Sequence, residues 1–150
     1  MRRSEREIED RSVIDKIIRQ CLVCHLGLSD GEEPYVVPLC FGYDGEALYF
    51  HGAAEGKKID ILRRNRRVCF EFDIPKGMRE AEQGCSWGMR YQSVIGFGVA
   101  EILSDHKTKK KALEIIMAQY SDKEYVFPED VVKKTTVIKV VITRMTGKQV

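Results

Sequence analysis

The stretch Tyr35-Val36-Val37-Pro38-Leu39-Cys40-Phe41-Gly42-Tyr43-Asp44-Gly45-Glu46-Ala47-Leu48-Tyr49-Phe50-His51 decides the fold. Tyr35 to Tyr43 is a nearly continuous apolar run, Asp44-Gly45 is a hairpin signal, and Ala47 to His51 makes the partner strand. Upstream, Cys21 to Leu28 reads as another strand, ended by the turn residues Ser29-Asp30-Gly31. Connections this short join antiparallel neighbours. Before them, Ile8, Val13, Ile14, Ile17 and Ile18 recur at helical spacing among charges.

Downstream the period changes. Lys57 to Asn65 reads as a helix with Ile59, Ile61 and Leu62 as its apolar positions. Val68 to Phe72 alternates as a strand, Pro75-Lys76-Gly77 breaks it, and Met78 to Gly88 reads as an irregular loop. Tyr91 to Leu103 is a long strand whose Gly96 and Gly98 mark a bulge or sharp bend. Ser104 or Asp105 can cap a helix carrying Ala112, Leu113, Ile116, Met117 and Tyr120 on one stripe. Its lysine run, Lys107 to Lys111, reads as a solvated face. Val137 to Ile142 closes the series. The expected order is one helix, three strands, a helix, two strands, a helix and a last strand. That order excludes a doubly wound sheet and favours a mainly β, antiparallel split or closed barrel with helices packed outside, because closure removes exposed edges.

A chain of 150 residues fits one domain, here 1–150, and buries enough surface to fold without disulfides or a structural metal. The net charge of +2 is too small to imply a nucleic-acid partner. No apolar run is long enough to span a bilayer and the charged opening is not a signal peptide, so the cytoplasm is the expected compartment. Five cysteines in such a chain are expected to stay reduced.

Cys21-Leu22-Val23-Cys24-His25 matches the c-type haem attachment pattern. A strand through these residues would send the two thiols to opposite faces, and haem attachment belongs to exported chains. A zinc site would need a second closely spaced ligand pair, and no metal site is expected. His25 and His106 read as surface or structural residues.

The segment most suited to a ligand is Tyr49-Phe50-His51-Gly52-Ala53-Ala54-Glu55-Gly56-Lys57-Lys58-Ile59-Asp60. A strand ends, small residues allow close approach, and two lysines stand where a helix presents free N–H groups and the positive end of its dipole. Lys57 and Lys58 suit a terminal phosphate. The spacing is not that of a P-loop, and no Ser or Thr follows to hold magnesium. On spacing alone, a solvated, glycine-capped helix start fits equally well. His51 fits either a ligand contact or a strand end. Tyr91-Gln92-Ser93 would suit the polar edge of a planar heterocycle, or simply an exposed strand start. Trp87 would cover an aromatic ligand or pack its loop on the core.

Taken together, Pro34 to Leu39 with Phe41-Gly42-Tyr43, Leu48 to Ala53 through Gly56-Lys57-Lys58, Val68-Cys69-Phe70-Glu71, Tyr91 to Val94 and Thr146-Gly147-Lys148 resemble the FMN-binding split-barrel family related to pyridoxamine 5'-phosphate oxidase. The closer likeness is to its nitroimidazole-resistance branch. The resemblance implies a homodimer with FMN in the groove between subunits. It implies that the backbone of Val37, Pro38 and Leu39 flanks the ring, and that Phe50, His51 and Gly52 line the ring and ribityl chain. Lys57 and Lys58 would hold the phosphate, Gln92 and Ser93 would approach the flavin, and the tail from Thr146 to Lys148 would close the pocket. The C-terminal tryptophan and arginine segment by which authentic pyridoxamine phosphate oxidases hold substrate has no counterpart. The implied activity is therefore an FMN-dependent reduction of small electron-poor compounds such as nitroaromatics, with His51 as proton donor. The alternatives are a non-catalytic flavin-binding or sensing module, or the same barrel holding haem or a deazaflavin.

Overall fold

A computed structural model describes residues 3–150; Met1 and Arg2, the start of the charged opening, lie outside them. The elements are β1 (Glu7–Ile8), α1 (Arg11–Gln20), β2 (Cys24–Ser29), β3 (Pro34–Leu39), β4 (Gly42–Tyr43), β5 (Ala47–Gly52), α2 (Lys57–Arg64), β6 (Arg67–Arg79), β7 (Gly88–Leu103), α3 (His106–Ala118), α4 (Glu129–Lys134) and β8 (Thr136–Gln149). The strands form one antiparallel sheet in the order β3-β2-β6-β7-β8-β5-β4, with β1 added alongside β8. It is the expected mainly β split barrel with helices outside.

The inner face holds the larger core. Phe41, Phe50, Phe70, Phe72, Leu26, Leu48 and Ile138 are fully buried there, and α1 and α2 contribute Ile14, Ile17, Ile18, Ile59, Ile61 and Leu62. Burying each of these side chains contributes about 1.5–3 kcal/mol. On the other side of β5 and β8, a second cluster packs Ala47, Tyr49 and Val137 under Ala112, Leu113 and Ile116 of α3 and Val132 of α4. The long central pair depends on close approach. A Cβ at Gly96 would lie 2.1 Å from Cζ of Phe70, so only glycine lets that ring cross β7. The register between β7 and β8 shifts at Phe97/Gly98, the bulge that the two glycines foretold.

Local chemistry sets the ends. Asp10 caps α1 by accepting from the Ser12 N–H, and Asp105 caps α3 by accepting from the Thr108 N–H. At the β4–β5 turn Gly45 adopts φ 100° and Asp44 accepts from the Glu46 and Ala47 N–H groups. The end of α3 closes over the segment after α1. Gln119 donates to the carbonyls of Arg19 (3.0 Å) and Cys21 (2.9 Å), while the Tyr120 hydroxyl donates to Leu22 O (2.9 Å) and accepts from Phe41 N–H (2.8 Å).

Several sequence expectations need correction. The first helix starts at Arg11, leaving Ile8 in β1. The strand expected from Cys21 begins at Cys24, with Cys21 at the helix end, so both thiols turn into the core rather than to opposite faces. The apolar run from Tyr35 is interrupted at Cys40, where Tyr120 captures the Phe41 N–H. Pro75-Lys76-Gly77 does not end β6: the ladder absorbs it as an irregularity and resumes at Met78 opposite Met89. The tail from Thr146 to Lys148 is the end of β8, paired with β7 and β1. Lys109 is buried, its Nζ donating to Lys133 O at the end of α4 (3.0 Å), so the lysine run is not wholly a solvated face. His25 has a partner, Glu71, whose carboxylate lies 3.0 Å from its Nδ1.

Candidate functional site

β5 runs out at Gly52, a short loop follows, and α2 begins at Lys57. Gly56 occupies the position before the helix with φ 123°, a conformation that favours glycine, and no side chain caps the N–H groups there. The two lysines part company at this point. Lys57 is exposed and engaged: its Nζ lies 2.6 Å from Glu33 and 5.1 Å from the centre of the Tyr35 ring, and the bond to Glu33 holds its pKa up. Lys58 folds back beside Gly52, where a Cβ would meet its Nζ at 3.2 Å. It is half-buried, has no ion-pair partner among the described residues, and burial alone pushes its pKa down. An ammonium partly stripped of water and left without a counter-charge, next to free helix N–H groups, is suited to an anion.

The remaining site residues fall into three places. His51 is exposed at the end of β5, and neither ring nitrogen has a hydrogen-bond partner among the described residues. Phe50 is fully buried in the inner core, so only its backbone can face a ligand. Val37, Pro38 and Leu39 lie on β3, which among the described residues pairs only with β2 and so offers an unpaired backbone edge. A proline at Pro38 is at home in such an edge strand. The turn before β3 is tied to α2 by the Glu33–Lys57 bridge and by Asn65 donating to Ser29 O (2.8 Å), which brings this edge alongside the start of the helix.

Gln92 and Ser93 lie elsewhere. Gly52 pairs with Thr136 at one end of β8, whereas Ser93 pairs with Lys148 near the other. Twelve residues of strand separate those partners, about 40 Å of extended chain. Gln92 is occupied within its own sheet, donating to Oε1 of Gln149 (2.8 Å). One chain does not bring these two residues to Lys58. Trp87 is exposed on the β6–β7 connection and donates to Ala81 O (2.7 Å), so it does not pack on the core.

The cysteines at the haem-like pattern are placed for packing. Burial pushes the Cys21 thiol up to about 11 and the Cys24 thiol further still, which keeps both protonated and inert. Sequence reading missed Glu33 and the His25–Glu71 pair, because both contacts join positions far apart in the chain.

An antiparallel split barrel with an anion-suited helix start between a strand end and a free sheet edge defines the class. The sequence profile of pyridoxamine 5'-phosphate oxidase matches residues 10–149. The chain belongs to that family. A candidate 5-nitroimidazole antibiotic resistance protein from Bacteroides thetaiotaomicron is 40% identical, with a TM-score of 0.85 over 95% of this chain and 86% of that one. The fold is shared with an FAD- and haem-binding protein from Mycobacterium smegmatis (17% identity, TM-score 0.87, 96% of this chain and 73% of that one). It is shared too with a flavocytochrome from Azotobacter vinelandii (21% identity, TM-score 0.84, 100% and 72%). No curated protein sequence matches the chain.

Proposed function

We propose that this protein binds FMN as a homodimer and reduces small electron-poor compounds such as nitroaromatics. The observation that carries the reading is the half-buried, uncompensated Lys58 ammonium at the start of α2, in a chain 40% identical to a candidate nitroimidazole-resistance protein. The residues present fit the group. Lys58 and the uncapped N–H groups of α2 take the phosphate, with Lys57 joining once it leaves Glu33. The free edge of β3 at Val37 to Leu39 and the backbone of Phe50 to Gly52 take the ring and ribityl chain. When bound, the flavin supplies the electron transfer; the protein supplies orientation and electrostatics. His51 offers an unengaged ring nitrogen to donate a proton to the reduced substrate.

Two observations support the homodimer. The outer face of β7 exposes Ile95 (46%), Phe97 (39%) and Val99 (38%) in a row, with Val36 of β3 (65%) beside them. Gln92 and Ser93 are remote from Lys58 in their own chain, which suits a flavin shared across a subunit boundary.

FMN titration of the wild type and Lys58→Gln, with riboflavin as the phosphate-free control, tests the binding. A charged hydrogen bond of about 1.5–3 kcal/mol corresponds to a ten- to hundred-fold loss of FMN affinity with riboflavin unaffected. A colourless protein that refuses FMN at low ionic strength would end the reading. His51→Ala should lower nitroaromatic turnover while FMN stays bound. If instead the reduced, loaded protein passes electrons to no nitro, quinone or flavin acceptor, it is a flavin-binding module. FAD and haem belong in the same titration, since an FAD- and haem-binding protein shares the fold.

A further inference from the structure

We infer that His25, Glu71 and Asp73 form a binding site for a first-row divalent transition ion on the outer face of the sheet. One ligand atom from each lies within 4.8 Å of the other two. Strand geometry produces the convergence. His25 of β2 stands directly opposite Glu71 of β6, and Asp73 follows Glu71 by two residues, on the same face of the same strand. Phe70 and Phe72, fully buried on either side of Glu71, hold that strand in the middle of the sheet, so the donors sit on a rigid frame.

The charge around the three residues is unbalanced. Glu71 meets only His25, and the Asp73 carboxylate has no ion-pair or hydrogen-bond partner among the described residues. The residues paired across from the donors are Pro38, Ile95 and Ser93, none of them charged. The next cation along that row is Lys148, opposite Ser93, and its Nζ is placed over the Tyr91 ring (5.4 Å). Two adjacent carboxylates without a basic side chain between them leave room for a positive ion. The 3.0 Å now separating His25 Nδ1 from Glu71 Oε2 is close to the separation of two donors that share an ion at 2.0–2.2 Å. One imidazole and two carboxylates favour zinc, cobalt or manganese over magnesium and calcium, and leave a coordination position open for water. The site does not rest on the flavin reading; it lies on β2 and β6, with Pro38, Ile95 and Ser93 setting it beside the β3 edge and the β7 face.

Titration of the purified full-length protein with Zn²⁺, by calorimetry and by the shift in thermal unfolding, tests it, with Co²⁺ as the spectroscopic probe. One equivalent should bind, with the cobalt spectrum showing nitrogen and oxygen ligands and no thiolate charge-transfer band. Glu71→Gln, which keeps a partner for His25, and Asp73→Asn should each weaken binding at least ten-fold, while His51→Ala leaves it unchanged. Equal affinity in the wild type and both variants, a thiolate band, or no thermal shift with excess Zn²⁺ would overturn the assignment. Zinc should bind FMN-free protein, so a failure of flavin uptake and a failure of metal binding are read separately.

Discussion

The outer face of the sheet is covered over one half and bare over the other. Across β5 and the first half of β8, α3 and α4 lie on Ala47, Tyr49 and Val137 and bury them. Across β7 from Ile95 to Val99 no helix lies among the described residues, and Ile95, Phe97 and Val99 face outward; only the end of β7, at Leu103, reaches the α3 cluster. The inward positions of β7 between and just after them are Gly96, Gly98 and Ala100, smaller than their outward neighbours. The usual rule of large inside and small outside is inverted from Ile95 to Ala100. Phe70 supplies the inner volume from the neighbouring strand, so β7 spends its own bulk on the outside. Bulk in that position has a purpose only if something else covers it.

The contrast can be attacked from its strongest point. Gly96→Val drives a side chain into the fully buried Phe70 ring and should cost about 3 kcal/mol or more, read as loss of soluble, cooperatively unfolding protein. Gly98→Ala is gentler, since the added Cβ meets Val140 Cγ1 and Val141 O at 2.6 Å; about 1–3 kcal/mol is expected, a fall in Tm of a few degrees for each kcal/mol. On the covered half, the Asp44 carboxyl is pushed up by burial, but the Tyr49 hydroxyl (2.7 Å) and two backbone N–H groups outweigh this and hold it below the usual carboxylate range. A depressed pKa contributes stability that is complete above the unfolded value and lost as pH falls through the folded one. Asp44→Asn should therefore cost under about 1 kcal/mol near neutrality, because the carboxylate is partly solvated. The gap from wild type should close below about pH 4 in urea melts. Phe97→Ser should change stability least, by under about 0.5 kcal/mol in the monomer, yet light scattering should show the mass halved. An unchanged mass would remove the bare half of the sheet from the interface.

The helices and strands that carry period or turn chemistry were legible in the sequence: α2 and α3, the β4–β5 hairpin, and the bulge at Gly98. The placing of Lys57 and Lys58 at the start of α2 was legible too, because an end of strand, small residues and two lysines occupy twelve consecutive positions. The difference between Lys57 and Lys58 was not. It depends on Glu33, twenty-four residues upstream, and on the Gly52 backbone, neither of which a local pattern encodes. Pro75-Lys76-Gly77 misled for a related reason: residues that break an isolated strand are tolerated where β7 supplies a partner on each side of the irregularity. The separation of Gln92 and Ser93 from Lys58 follows from the pairing of β8, and becomes visible only once the register is known.

The clasp at the end of α3 ties together stretches of chain that lie far apart in order of synthesis. Backbone groups of residues 19 to 22 and 41 wait for two side chains that emerge from the ribosome about a hundred residues after the first of them. The stretch from Arg19 to Phe41 can therefore reach its final form only after Gln119 and Tyr120 have been made. A single proteolytic cut just before Gln119 would loosen the beginning of the protein as well as its end.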